Sequence, residues 1–155
     1  MNNSYWTEST KHIEIKTEKL SKDIETDVCI IGAGITGIST AYMLTKAGLK
    51  VAVLDREPSI CARTTANTTG KITSMHGLFY KYLNDSYSPE FAKKYLCANQ
   101  EAISNIKKII EEENIDCDFE LKDNYIFTKD PGELQKLKDE AKLLSSFRCK
   151  RPVCK

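Results

Sequence analysis

Three glycines, Gly32, Gly34 and Gly37, are spaced as G-x-G-x-x-G with Ala33, Ile35 and Thr36 between them, and an acid, Asp55, follows roughly 20 residues on. These residue types at this spacing suit the holding of a dinucleotide. A glycine at the first position permits a tight turn. At the second it lets backbone N–H groups approach a pyrophosphate, and at the third it lets helix and strand pack closely. The phosphates are expected at the positive end of the helix dipole, with the Asp55 carboxylate accepting hydrogen bonds from the adenosine ribose hydroxyls. An acid in that place favours an unphosphorylated ribose, so the expected ligand is FAD or NAD rather than NADP.

The elements needed to position these residues are written around them. Residues 28–31 form a short β-branched run that leads straight into the glycines. Ile38, Ala41, Tyr42, Leu44 and Thr45 then keep helical spacing until Gly48, which can adopt the left-handed conformation that ends a helix. A second strand is expected over 50–54, ending on Asp55, which completes a β-α-β unit. The uncharged run 28–45 is not a membrane span, because three glycines and several hydroxyls interrupt it.

Residues 56–76, REPSICARTTANTTGKITSMH, are rich in Thr, Ala and Gly and show no clear period. A loop that follows the carboxyl end of a strand lies where open α/β sheets bind ligands, and its hydroxyls and amides are suitable phosphate donors. The same composition also suits a merely solvated loop, since hydroxyl residues favour irregular structure.

Ser88 as N-cap, Pro89 at the first helical position and Glu90 in the first turn start a long helix that ends near Glu112. Its expected core stripe is Phe91, Tyr95, Ala98, Ala102, Ile106, Ile109 and Ile110. Cys117, Phe119 and Leu121 alternate with polar residues and, with 125–128, read as a β-hairpin. Asp130, Pro131 and Glu133 then read as a capping box before Leu134, Leu137, Ala141 and Leu144. An antiparallel hairpin between helices does not extend a parallel sheet, so a second domain is expected to begin near Pro89. The expected division is an arm over 1–25, a nucleotide-binding unit over 26–88, the start of another domain over 89–145 and a basic tail over 146–155.

Across 155 residues, 41% are hydrophobic and 29% charged, which fits a soluble globular chain of ordinary domain size. The 23 Lys and Arg nearly balance the 22 Asp and Glu, so no net field recruits nucleic acid or an anionic membrane. No apolar segment follows a basic start at the N-terminus, and a cytoplasmic location is the default expectation. Cys29, Cys97 and Cys117 fall at expected core positions, as free thiols in a reducing compartment do. The C-x4-C pair of the tail and the two histidines, His12 and His76, do not make a usual zinc pattern. No catalytic base is evident, and a lone His76 reads as a hydrogen-bonded structural residue.

The run VCIIGAGITGISTAYMLTKAG followed by VAVLDRE resembles the start of the FAD-dependent oxidoreductases of the D-amino-acid oxidase and glycine oxidase group. Within that group, SYW, TTANTTGKITSMHGL and IDCDFELKDNYIFT are most similar to amine-oxidising members that often carry a C-terminal Rieske domain. The resemblance covers about residues 4–145. It implies FAD as cofactor, a Rossmann-type α/β FAD-binding domain followed by the beginning of an α+β substrate domain, and an amine or amino acid as substrate. It also implies that Arg56, Arg63, Thr64, Thr65, Thr69, Gly70 and Lys71 join the glycine turn and Asp55 in meeting the cofactor.

In such families the flavin pocket is completed by later strands and a C-terminal glycine segment, and the substrate-binding side chains lie downstream. The resemblance therefore implies an incomplete FAD domain here, inactive by itself. No C-x-H or C-x-x-H occurs, so these residues do not form a Rieske cluster. An NAD-dependent dehydrogenase and a non-catalytic nucleotide-binding fragment are the alternative expectations. The extended Thr-rich loop favours the flavin over a minimal NAD unit.

Overall fold

In the computed structural model, which describes residues 5–10, 12–13 and 15–147, the expected β-α-β unit is present. Strand β1 (Val28–Ile31) runs through the glycine turn into helix α2 (Ile35–Lys46), and β2 (Val51–Leu54) returns parallel to β1. The register pairs Val28 with Val51 and Ile31 with Leu54. Asp27 sets the strand starts, its Oδ2 accepting from Lys50 N–H at 2.7 Å while its own N–H donates to the Lys50 carbonyl at 3.0 Å. Helix α2 ends where Gly48, at φ 87°, turns back to donate to the Thr45 carbonyl. A short helix α1 (Tyr5–Ser9) lies upstream; the helical cue near Lys19 and Leu20 produces no helix. Thr17 of the arm donates to the Pro58 carbonyl at 3.1 Å.

The described residues divide into two compact units, one within Met1–Lys71 and one within Ile72–Lys155. The second contains three helices, α3 (Phe79–Ser86), α4 (Pro89–Glu112) and α5 (Leu134–Ser146). Helix α3 packs against both α4 and α5. As expected, Ser88 caps α4 by accepting from Phe91 N–H at 3.1 Å, with Pro89 at the first position. Asp130 accepts from Gly132 N–H at 2.8 Å and opens a 3-10 turn, Pro131–Glu133, ahead of α5. The reciprocal half of a capping box is not made, because Glu133 pairs with Lys136 instead.

Three expectations are corrected. Residues 117–128 form no hairpin: Asp118 has φ 49°, incompatible with a strand, and Tyr125 and Phe127 are about four-fifths exposed. A two-stranded hairpin without a surface to cover is marginal in water, and no strand is present among the described residues of this unit. The buried face of α4 is centred on Ala92 and Leu96, whereas Phe91, Ala98 and Ala102 are exposed. The cysteines are not core thiols: Cys29 and Cys117 are free and exposed, and Cys97 is disulfide-bonded. In β1 the reason is alternation. Ile30 faces α2, so Cys29 and Ile31 point the other way. Of the tail expected over 146–155, Ser146 belongs to α5 and Phe147 follows it, while 148–155, with the C-x4-C pair, lies outside the described residues.

The core of the second unit is Tyr80, Leu83, Ala92 and Leu96, with one buried charged group, Glu140. Tyr95 gathers His76, Phe79 and Tyr80 edge-on around its ring, with centroids 5.6–6.1 Å away. Burial, then the neighbouring Tyr95 and Glu140, push the Tyr80 hydroxyl up to about 12, and it donates to the Ser74 carbonyl.

Candidate cofactor site at the glycine turn

The turn is built as the glycine spacing requires. Gly32 sits at φ 106°, a conformation that side chains resist, and its N–H donates to the Leu54 carbonyl at 2.7 Å. Helix α2 starts so close to this turn that a Cβ on Gly37 would lie 1.9 Å from the Gly32 carbonyl oxygen and 3.4 Å from Ile30. Only hydrogen fits there. A Cβ on Gly34 would meet nothing nearer than Thr65 Oγ1, at 3.4 Å.

Asp55 is drawn under this turn. One carboxylate oxygen accepts from Ala33 N–H at 2.6 Å and the other from Glu57 N–H at 2.8 Å. The Ala33 amide first, then the Glu57 amide, hold the exposed carboxyl below its ordinary value of 3.8. An ionised carboxylate offers about four lone-pair sites, so the Ala33 and Glu57 amides do not exhaust its capacity for hydroxyl donors.

The Thr-rich loop closes over the other side. Cys61 N–H donates to the Ala33 carbonyl at 2.9 Å, and Thr65, in the 3-10 turn Thr65–Asn67, places its hydroxyl 3.1 Å from Ile35 N–H. That amide is one of the first-turn donors of α2 that have no carbonyl partner within the helix. Gly32, Ala33, Gly34, Ile35, Asp55 and Thr65 are thus brought together, with Thr36 and Gly37 in the first turn of α2.

The other expected residues are arranged differently. Arg63 directs Nε and a terminal nitrogen onto one Glu57 oxygen, at 2.8 and 2.5 Å, and Arg56 approaches the same oxygen at 3.4 Å. Thr64 gives its carbonyl to Asn67 N–H, and Gly70, at φ 69°, donates to Thr68 Oγ1. Thr64, Thr69 and Lys71 have exposed side chains. Two contributors escaped the sequence reading. Glu57 orients both arginines, and its position two residues past Asp55 was the available signal. Cys61, held at φ 56°, ties the loop through its backbone and leaves no signal in side-chain type.

The donor set fits a dinucleotide. First-turn amides without a carbonyl partner inside the helix and a hydroxyl at the helix start suit a pyrophosphate, and an ionised carboxylate at the strand end suits a ribose. No group of His, Cys, Asp and Glu able to hold a metal occurs among the described residues.

This defines a glycine-turn nucleotide-binding unit, and comparison with known proteins narrows the class. Residues 27–152 match the family model described as FAD dependent oxidoreductase. The chain belongs to that family, whose cofactor is FAD. It is 37% identical over 152 residues to YhfW of Bacillus subtilis (strain 168), named as a Rieske 2Fe-2S iron-sulfur protein, covering 98% of this chain and 29% of that one. It is 29% identical over 102 residues to gamma-glutamylputrescine oxidoreductase of Escherichia coli (strain K12), covering 66% and 24% of the two chains. Over 47 residues it is 40% identical to D-amino acid dehydrogenase of Agrobacterium fabrum, covering 30% and 11%. The chain therefore spans less than a third of the length of these curated relatives. No solved structure matches. No helix among the described residues is long and apolar enough to cross a membrane.

Proposed function

We propose that this chain carries the adenosine- and pyrophosphate-binding part of a flavoenzyme that oxidises an amine or amino acid. The observation that carries this reading is the double tie at the glycine turn, with Asp55 accepting from Ala33 N–H and Thr65 Oγ1 from Ile35 N–H. In this reading the Asp55 carboxylate binds the ribose. Gly32, Ala33, Gly34, Ile35, Thr36 and Gly37 surround the pyrophosphate, and Arg56, Arg63, Thr64, Thr65, Thr69, Gly70 and Lys71 supply donors from the loop. When bound, FAD supplies the ring that accepts a hydride, and the protein binds and orients it. Residues 89–145 are proposed as the start of a substrate domain. The amine or amino-acid substrate is inferred from the similarity to gamma-glutamylputrescine oxidoreductase and D-amino acid dehydrogenase.

Purification of the full-length protein tests the reading. A yellow protein whose flavin is bleached anaerobically by an amine or amino acid is expected. A colourless protein that cannot be reconstituted with FAD, yet binds NAD, would replace the reading with a nicotinamide-dependent dehydrogenase.

A further inference from the structure

Helix α3 starts without a capping side chain of its own. The residue at its N-cap, Leu78, has no side-chain acceptor, yet the first-turn N–H groups need partners. They find one in Glu140 of α5, distant in sequence: Oε1 accepts from Tyr80 N–H at 2.8 Å and Oε2 from Lys81 N–H at 2.7 Å. These are the second and third helical amides, the two that a local N-cap side chain would satisfy. Glu140 is 2% exposed and Tyr80 is 0% exposed, so the bond to Tyr80 N–H is closed to water, while that to Lys81 N–H is part-buried. The carboxylate also places a negative charge at the positive end of the α3 dipole.

We propose that Glu140 is the N-cap of α3, supplied by a different helix, and that through it the docking of α5 sets the conformation of residues 74–76. Tyr80 links the start of α3 to residues 74–76. Its amide is one of the two that Glu140 holds, and its hydroxyl donates to the Ser74 carbonyl. Its ring stands edge-on to Tyr95, 5.9 Å between centroids, and the Tyr95 hydroxyl lies 3.4 Å from His76 Nδ1. Backbone at Ser74 and imidazole at His76 are thus tied to the start of α3, and the start of α3 is tied to α5. Residues 74–76 and the first turn of α3 are held more firmly while α5 is docked. The device is conformational and requires no ligand.

Hydrogen exchange on the purified protein tests this, with E140A, L78D and the double variant L78D/E140A compared with the parent. E140A is expected to speed amide exchange over 79–86 by about tenfold, as loss of a helix cap does, while 100–110 in α4 changes far less. L78D/E140A is expected to recover most of that protection, because Asp at the N-cap reaches the same two amides. The His76 ring resonance should shift in E140A and return in the double variant. Unchanged exchange over 79–86 in E140A would overturn the proposal. So would a loss equal in α3 and α4 that L78D does not recover, which would make Glu140 a filler of the core. If E140A fails to fold, E140Q, which keeps the shape and one acceptor, takes its place, and parent-like exchange in E140Q would again overturn it.

Discussion

A methyl group added at Gly37 would collide with the Gly32 carbonyl oxygen at 1.9 Å, whereas one added at Gly34 would touch only Thr65 Oγ1 at 3.4 Å. The two glycines therefore do different work, and two single variants separate it. Gly37→Ala is expected to destabilise the first unit by about 2–4 kcal/mol, since backbone must move to relieve the overlap. Gly34→Ala is expected to fold with a melting temperature close to the parent's and to lose about tenfold or more in FAD affinity, because its cost falls on the approach of the phosphate. Melting curves and FAD titration of the full-length variants check both. At Asp55 the sign of the pH dependence follows from a folded value held below 3.8 by backbone amides. A depressed carboxyl stabilises above its unfolded value and loses that contribution as pH falls through the folded one. FAD retention should stay flat from neutral pH down to about pH 5 and fall below 3.8. Asp55→Asn should bind FAD more weakly at pH 7 and show less of that acid-side fall; an unaltered acid profile would remove Asp55 from the site.

At the scale of elements, what could be read from the sequence and what could not have different physical causes. β1, α2 and β2 are legible because local rules agree: β-branched runs, a glycine turn, helical spacing and a terminating Gly48 all point the same way. The start of α4 is legible for the same reason, through Ser88 and Pro89. Helix α3 is not legible. Its first turn has no capping residue, and its stabilising partner is Glu140, whose place in α5 reads as a solvent-facing charge in any hydrophobic pattern. The segment 117–128 misleads in the opposite direction, since alternation signals a strand only where a sheet exists to pair with it. At the candidate site, the glycines and Asp55 are legible from spacing, while the Arg63–Glu57 pair and the Cys61 backbone tie depend on a loop conformation that composition does not encode. Tyr125→Ser, at a position 80% exposed, is expected to change the stability of residues 1–155 by less than about 0.5 kcal/mol, as measured by urea unfolding. A loss above 2 kcal/mol would mean that the segment is paired in solution after all.

In the molecule as a whole, buried apolar side chains among the described residues are few, and they are unevenly shared. Tyr80, Leu83, Ala92 and Leu96 belong to the second unit, and Ala33 is the buried hydrophobic residue of the first among those described. In the first unit Ile31 is 90% exposed and every residue of β2 is only half-buried. Little hydrophobic free energy therefore holds β1, the glycine turn and the loop to one another; the specific ties are Asp55 to Ala33, Cys61 to Ala33 and Thr65 to Ile35. All three meet at the site assigned to the cofactor, so FAD binding and local folding should be strongly linked. A ligand that binds only the ordered state stabilises it by RT ln(1 + [L]/Kd), about 2.7 kcal/mol at a hundredfold excess over Kd. Hydrogen exchange with and without saturating FAD should show slowing of about a hundredfold for amides in 28–37 and 61–66. The same experiment on Asp55→Ala should show much less slowing at matched FAD concentration. If FAD binds with measurable affinity and exchange over 28–37 does not change, the glycine turn is not where the cofactor sits, and the assignment of Asp55 and Thr65 to it fails as well.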